Sequence, residues 1–171
     1  MATLYITLPQ LAEKPGTVEL AQVTAQPGQS PASPDVLELA LKGGDISLEL
    51  PEQQDKVARA IARINEAVAD ACAMIDGFLR QRGYALPLDK APKILSVWTR
   101  AIARYYLHQH LISDEKTNPI ARDYREAMRL LQLVADGKFS LGSSDVSMLH
   151  TGQAKFKKPE RIFTHATLKD Y

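Results

Sequence analysis

The chain has almost no cysteine: Cys72 is the single one among its 171 residues. One cysteine cannot form an internal disulfide, and it excludes a metal site built on several cysteines. Cys72 lies in an alanine-rich stretch with helical spacing, so we predict that its thiol is packed and unreactive.

Long apolar runs are also missing. No run of about 18 apolar residues occurs, so the sequence contains no candidate transmembrane helix. The first residues lack the basic region and apolar core of a signal peptide. We therefore expect a protein that is made in the cytoplasm and does not bind a membrane.

Neither sign of charge is in excess. Lys and Arg total 21 against 20 for Asp and Glu, a formal net charge of +1. The whole chain thus has no field that attracts nucleic acid or an anionic membrane, and any charge effect is local. The length and the 45% hydrophobic content suit one domain with its own core.

Catalytic motifs are absent as well. The sequence has no phosphate-binding loop, no dinucleotide-binding glycine motif and no Gly-x-Ser-x-Gly elbow. His108 and His110 are two residues apart, which places them about 200° apart around a helix, so they cannot share a metal. We expect a protein that is not an enzyme, with no catalytic residue, metal or cofactor.

Three segments carry the apolar spacing of amphipathic helices. The first covers residues 53–82 and stops at Gly83, the second runs from about Pro92 to Leu111, and the third begins at Asn118-Pro119 and ends at Asp136-Gly137. The apolar stripes on all three predicted helices imply that these helices pack against one another. The sequence therefore predicts a mainly α fold with a three-helix core, in a domain of residues 1–142.

Residues 24–52 are predicted to be a loop followed by a β-hairpin insertion. Residues 24–35 are rich in proline, which favours a loop. Beyond them, apolar residues alternate on both sides of Gly43-Gly44: Leu37, Leu39 and Leu41, then Ile46, Leu48 and Leu50. This pattern is typical of a hairpin with a glycine turn. Its apolar face packs either on this chain's own helices or on a neighbouring subunit.

After Gly142 no helical stripe continues. Residues 143–171 combine scattered apolar residues with a basic cluster, and we interpret them as an extended C-terminal arm. Such a segment is either disordered or ordered by a partner.

Several motifs, in order, resemble the Mu-like phage head–tail adaptor family, also called connector or head-completion proteins. Many members are described only as a prophage domain of unknown function. The resemblance covers residues 53–142 well and the two ends loosely, and residues 24–52 look longer than the family's loop. The motifs are Ile75-Asp76-Gly77-Phe78-Leu79, Arg82-Gly83-Tyr84-Ala85-Leu86-Pro87-Leu88, Ala101-Ile102-Ala103-Arg104-Tyr105-Tyr106-Leu107, Tyr124-Arg125-Glu126-Ala127-Met128-Arg129, Ala135-Asp136-Gly137-Lys138, Leu141-Gly142, Arg161-Ile162-Phe163-Thr164 and Leu168-Lys169-Asp170.

The resemblance implies a structural virion protein at the neck, made in the cytoplasm of a bacterial host. Its subunits would form a homo-oligomeric ring beneath the portal protein, expected to be twelvefold. Genomic DNA would pass through the lumen without specific binding during ejection, and the other face would receive the tail-proximal connector or tail terminator.

Three contact regions follow as hypotheses. The C-terminal arm would dock on the portal or a neighbour, the hairpin would contact a neighbouring subunit, and one set of arginines would form subunit salt bridges or face the lumen. The residues are Lys157, Lys158, Arg161, Ile162 and Phe163 in the arm, Leu37, Leu39 and Leu48 in the hairpin, and Arg100, Arg104, Arg122 and Arg129 on the helices.

A structural role is expected for the signature residues Asp76, Gly77, Tyr84, Pro87 and Gly137. Glycine inside a helix costs about 1 kcal/mol relative to alanine. Gly77 therefore either permits the close approach of another helix or is merely tolerated.

A small helical DNA-binding regulatory protein is the alternative. Arg100 and Arg104 share a face of the second helix, and further arginines lie along the third, although carboxylates are interleaved there. A regulator of this kind binds duplex DNA with an affinity that falls steeply with salt, whereas an adaptor does not.

The arm hypothesis gives a direct prediction. Deleting residues 143–171 should leave a folded body that no longer joins the portal. Assembly of the truncated protein into virions, measured by its presence in purified particles, would contradict the hypothesis.

Overall fold

The computed structural model describes residues 4–26, 28–88 and 90–142. Six α-helices follow one another in these ranges: α1 (Leu8–Leu11), α2 (Thr17–Thr24), α3 (Pro34–Leu41), α4 (Pro51–Arg82), α5 (Lys93–His108) and α6 (Pro119–Ala135). The described residues contain no β-strand, and none of their helices is long and apolar enough to cross a membrane.

The three predicted helices are confirmed as α4, α5 and α6. A short 3₁₀ turn over Gln109–Leu111 completes the second of them. Asn118 caps α6, because its side-chain oxygen accepts hydrogen bonds from the backbone N–H groups of Ile120 and Ala121 at 2.8 and 3.3 Å. Proline occupies the first turn of α4 and of α6, where the missing N–H carries no penalty.

The predicted β-hairpin is wrong. Residues Pro34–Leu41 form α3, and residues 42–50 form a loop that leads into α4. Leu37 and Leu41 are four residues apart and both are buried, so the leucines that suggested alternation also satisfy helical spacing. Gly43-Gly44 ends the helix in place of turning a hairpin.

Glycine ends α3, α4 and α6 in the same way. Gly43, Gly83 and Gly137 all have positive φ, at 82°, 96° and 72°. In each case the N–H of the following residue reaches back to a carbonyl of the last turn, with distances of 2.8, 3.0 and 2.8 Å. This Schellman arrangement satisfies carbonyls that a helix end otherwise leaves without partners.

The N-terminal helices complete the core and were not predicted as such. The backbone at Lys14 is extended, at φ −145° and ψ 119°, and this break separates the turn after α1 from α2. Leu20 and Val23 of α2 are buried in the same cluster as Ile64 of α4 and Leu131 of α6. The short helix α1 precedes this break and has Pro9 in its first turn.

Aromatic side chains reinforce the packing of α5 on α6. The rings of Tyr105 and Tyr124 stack with their centroids 4.1 Å apart and an interplanar angle of 11°. Trp98 meets Phe139 beyond the end of α6, with ring centroids 6.0 Å apart. Such ring pairs contribute about 0.5–1.5 kcal/mol beyond the burial of their area.

Alanine substitution at two glycines that have open space around them should change the free energy of unfolding in opposite directions. An added Cβ would meet no atom within 4 Å at either Gly43 or Gly77, but only Gly43 has a positive φ. We expect Gly43→Ala to lower the free energy of unfolding by about 1–2 kcal/mol and Gly77→Ala to raise it by about 1 kcal/mol. Urea unfolding measures both, and shifts of the same sign would contradict the backbone explanation.

Candidate assembly interface

An apolar projection stands out from the loop between α3 and α4. We call residues 44–50 the knob. Leu48 is 99% exposed and Leu50 is 71% exposed, and the neighbouring Leu39 at the end of α3 is 44% exposed. Burying one leucine side chain gains about 1.5–3 kcal/mol, so this surface favours contact with another molecule.

Hydrogen bonds give the knob a defined shape. The backbone N–H of Glu49 donates to the carbonyl of Ile46 at 3.1 Å, which closes a turn with Leu48 near its tip. Ser47 donates to the carboxylate of Asp45 from both its N–H, at 2.8 Å, and its hydroxyl, at 2.9 Å. The side-chain amide of Gln54 on α4 donates to the carbonyls of Ser47 and Glu49 at 3.1 and 2.7 Å. Ile46 packs inward against the core, so Leu48 is held outward.

A groove between α5 and α6 is the second feature. Its lining combines apolar side chains with charges of both signs, since Arg100, Arg104, Asp123 and Glu126 all line it. Val97 at its edge is 53% exposed. The Nε atom of Arg100 is buried there and meets no hydrogen-bond acceptor within the described part of the chain. The apolar lining residues are Val97, Trp98, Ala101, Ala127 and Leu130.

The other arginines predicted to form subunit contacts have partners in their own chain. Arg104 binds Glu19 of α2 through two hydrogen bonds, Nε to Oε1 at 2.5 Å and Nη2 to Oε2 at 2.7 Å. His108 lies beside the same carboxylate, with Nε2 3.4 Å from Oε1 of Glu19. The hydrogen bond to Glu19 raises the pKa of Arg104. This cluster fastens α2 to α5.

Arg122 and Arg129 on α6 are also neutralised locally. Arg122 lies 3.2 Å from Asp123, and Arg129 lies 2.7 Å from Glu126. Both pairs are exposed and contribute little to stability. The mixed face predicted for the third helix is therefore present. Arg100 differs from the other three predicted arginines, because it forms no ion pair with a carboxylate among the described residues.

The signature residue Asp76 has a structural partner in the N-terminal segment. The hydroxyl of Tyr5 donates a hydrogen bond to Oδ1 of Asp76, and both side chains are buried. Arg80 lies one turn further along α4, with Nη2 4.0 Å from Oδ2 of Asp76. The bond joins residues 71 positions apart in sequence, so no local spacing could have revealed it.

Burial is the main cause of the pKa shifts beside the Tyr5–Asp76 hydrogen bond. Burial, followed by the hydrogen bond to Asp76, raises the pKa of Tyr5. Burial likewise raises the pKa of Cys72, which lies next to this pair. A thiol with a raised pKa is protonated at neutral pH and is a poor nucleophile, as the sequence predicted for Cys72.

The remaining signature residues lie at or just beyond helix ends, apart from Gly77 inside α4. Gly137 ends α6, Tyr84 is buried directly after α4, and Pro87 follows in the connector after a cis peptide bond. Gly77 is exposed on α4, and no part of the described chain lies within 4 Å of a Cβ built there. The close helix approach considered for Gly77 therefore does not occur within the described chain.

Of the three leucines predicted to contact a neighbour, the structure places one inside. Leu37 is fully buried in this chain's own core, while Leu39 and Leu48 are exposed. The arm residues lie outside the described residues: Lys157, Lys158, Arg161, Ile162 and Phe163. Within the described residues, no three His, Cys, Asp or Glu side chains come together as a metal site.

The helical body with its exposed knob and groove belongs to a class of phage proteins. The family described as "Bacteriophage Mu, Gp36" matches residues 5–157. The chain therefore belongs to this Mu-like phage family, which agrees with the phage relationship expected from the sequence.

Two relatives give the measure of similarity. The Mu-like prophage FluMu protein gp36 of Haemophilus influenzae is 39% identical over 84 residues, which cover 49% of this chain and 56% of that protein. Gene product J of Escherichia phage Mu is 38% identical over 77 residues, covering 45% of this chain and 51% of that protein. The chain thus spans about half the length of each of these relatives.

The Tyr5–Asp76 bond should be measurable in stability and in its pH dependence. Tyr5→Phe leaves a buried carboxylate oxygen without its donor, so we expect it to cost about 1–3 kcal/mol. Asp76→Asn keeps an oxygen acceptor and should cost less. Because the folded protein holds Tyr5 protonated, its contribution is present below about pH 10, the pKa of an unfolded tyrosine, and is lost as pH rises above it.

Chemical denaturation from about pH 9 to about pH 11 measures this contribution. The unfolding free energy of the wild type should fall more steeply over this range than that of Tyr5→Phe. Tyr105 and Tyr106, whose pKa values are also raised, are present in both proteins and cancel in the comparison. Equal slopes would show that the Tyr5 hydroxyl is not held protonated by the fold.

Proposed function

We propose that the protein is a structural component of a Mu-like phage particle, a head–tail adaptor that joins the portal to the tail. Its subunits form a ring, twelvefold to match the portal, at the neck of the virion. DNA passes through the lumen during ejection, and the tail-proximal connector or tail terminator binds the opposite face. The proposal combines membership of the Mu-like family with the family resemblance of the helices and the surfaces described above.

The exposed knob is the observation that carries the proposal. A leucine that is almost fully exposed on an ordered turn is costly to keep in water, and burial against a partner recovers that free energy. The turn is already shaped by its hydrogen bonds to Gln54, so little conformational entropy is lost when a partner covers it. These properties suit a subunit that works by fitting surfaces together.

Ring geometry sets further requirements on a subunit. A ring needs two different faces on each subunit that fit one another, so that the contact is repeated until it closes. Affinity at each contact can be modest, because many subunits bind one symmetric partner at once. A small helical body with a projection at one place and a groove at another supplies two such faces.

The DNA-binding regulator gains no specific support from the charges. Three of the four predicted arginines are paired with carboxylates of their own chain, which reduces the positive field along α5 and α6. Arg100 alone is too small a basic surface to bind duplex DNA strongly. Salt-dependent duplex binding by the full chain would nevertheless favour the regulator and count against the adaptor.

Replacing Leu48 tests the proposal. Because its side chain is exposed, Leu48→Asp should change the free energy of unfolding by less than about 0.5 kcal/mol while abolishing ring formation on the portal of the same phage. Leu111→Asp is the matched control, since Leu111 is also an exposed leucine, at 62%, and lies at the far end of α5. Electron microscopy of the protein mixed with the portal measures assembly.

Wild-type rings seated on the portal, retained by Leu111→Asp and lost with Leu48→Asp, would support the proposal. Failure of the wild-type protein to bind the portal would refute it.

A further inference from the structure

We infer that the C-terminal segment of one subunit, residues 155–163, covers the knob of a neighbouring copy of this chain. The inference rests on the proposed ring and specifies which two parts of the chain hold its subunits together. Nothing in the family assignment or the names of the relatives identifies these parts.

The apolar surface of the knob extends onto the end of α3. The side chain of Leu39 lies against Gly44, because a Cβ built on that glycine would collide with it. Leu39, Leu48 and Leu50 are all exposed. Three exposed leucines on one loop and on the helix end before it favour an apolar partner, since covering them removes their surface from water.

Carboxylates accompany these leucines. Residues 44–56 contain four acidic residues and one basic residue, Lys56, whose ammonium group lies 2.7 Å from the carboxylate of Glu52. Glu52 belongs to the first turn of α4, where the helix dipole favours a negative charge, but Asp45 and Glu49 lie in the knob itself. The knob therefore suits a partner that combines apolar with cationic side chains.

Residues 155–163 have this composition. Their sequence is Lys-Phe-Lys-Lys-Pro-Glu-Arg-Ile-Phe, in which three large apolar residues stand among four basic residues and one acidic residue. The segment thus carries a formal charge of +3, against −3 for residues 44–56. Opposite charges of this size steer the two surfaces together, and burial of the apolar side chains holds them.

The C-terminal segment leaves the helical body far from the knob of its own subunit. Phe139, shortly before this segment, packs on Trp98 of α5. The next residue of α5, Thr99, lies against the thiol of Cys72 on α4. The knob directly precedes Pro51, the first residue of α4. Pro51 and Cys72 are separated by roughly 30 Å along the helix axis.

This separation favours a contact between two copies. The chain from Gly142 to Lys155 spans at most about 45 Å even when it is fully extended. To reach the knob of its own subunit, it would use most of that length in passing along the body and would lose conformational freedom at each residue. The knob of a neighbour imposes no such path. Exchange of the segment between copies then repeats one contact around the ring.

Cysteine cross-linking tests the contact directly. One population carries L48C and a size tag, a second population carries F163C, and the two are mixed with the portal and oxidised. Cys72 is buried and is retained. We expect a covalent dimer of the two populations as the main product, and a ladder of multimers when both substitutions are placed in one chain. The matched control replaces L48C with L111C and should give only background.

The outcomes separate the inference from the proposed function. Cross-linked dimers specific to L48C and F163C support the inference. Rings on the portal that give no such dimer overturn it and leave the adaptor function standing, whereas the absence of portal binding overturns both. A link that forms only within single chains when both substitutions are present, without multimers, would show that the segment covers the knob of its own subunit and would also overturn the inference.

Charge reversal tests the polar part of the contact. K157E/K158E brings like charges to the acidic knob and should lower the yield of the L48C–F163C dimer by at least about fivefold at low salt. The matched control K90E/K93E reverses two exposed lysines near the start of α5. It should change the yield by less than about twofold, as expected for lysines outside the contact. Equal losses in the two variants would contradict a charge-paired contact between this segment and the knob.

Discussion

The buried stripe of α4 is the constraint on which the rest of the structure depends. Within the described residues this helix packs against α2, α3, α5 and α6. Its buried residues recur at three- and four-residue steps from Val57 to Leu79, and together they form one side of a continuous core. The helix α5 packs most extensively on α4, and α2, α3 and α6 bury part of their apolar faces against it. The knob and the α5–α6 groove are among the surfaces that α4 does not cover.

Local sequence signals predicted α4, α5 and α6 because those signals are complete within each segment. The Asn118 cap, the glycine stops and the long apolar stripes each act over a few residues. The hairpin prediction failed because Leu37, Leu39 and Leu41 fit a period of two and also leave Leu37 and Leu41 one helical turn apart. The flanking residues favour a helix, since Ser33 and Pro34 match a helix start and Gly43 matches a helix stop.

The contacts that hold the N-terminal helices could not be predicted from the sequence. Tyr5 reaches Asp76, and Glu19 reaches Arg104 across 85 residues. Pairs at such distances depend on how helices pack, which spacing along the chain does not encode. The same reason limits what the sequence could predict about the candidate interface. The sequence predicted Leu48 and Arg100 as contact residues, but it could not show that Leu37 faces inward or that Arg104 already has a partner.

The glycine stop of α3 has a consequence for how this molecule can diversify. The helix α3 is closed at Gly43 by its own backbone hydrogen bonds, and α4 begins at Pro51, which has no N–H that needs an acceptor from the preceding chain. The segment between them is therefore bounded by two regular helix ends, and it is tied to the body by Ile46 and by the side-chain amide of Gln54. We expect exchanges of its outward-facing residues to leave the scaffold intact, so that the neighbours a subunit recognises can change while the helical body stays the same.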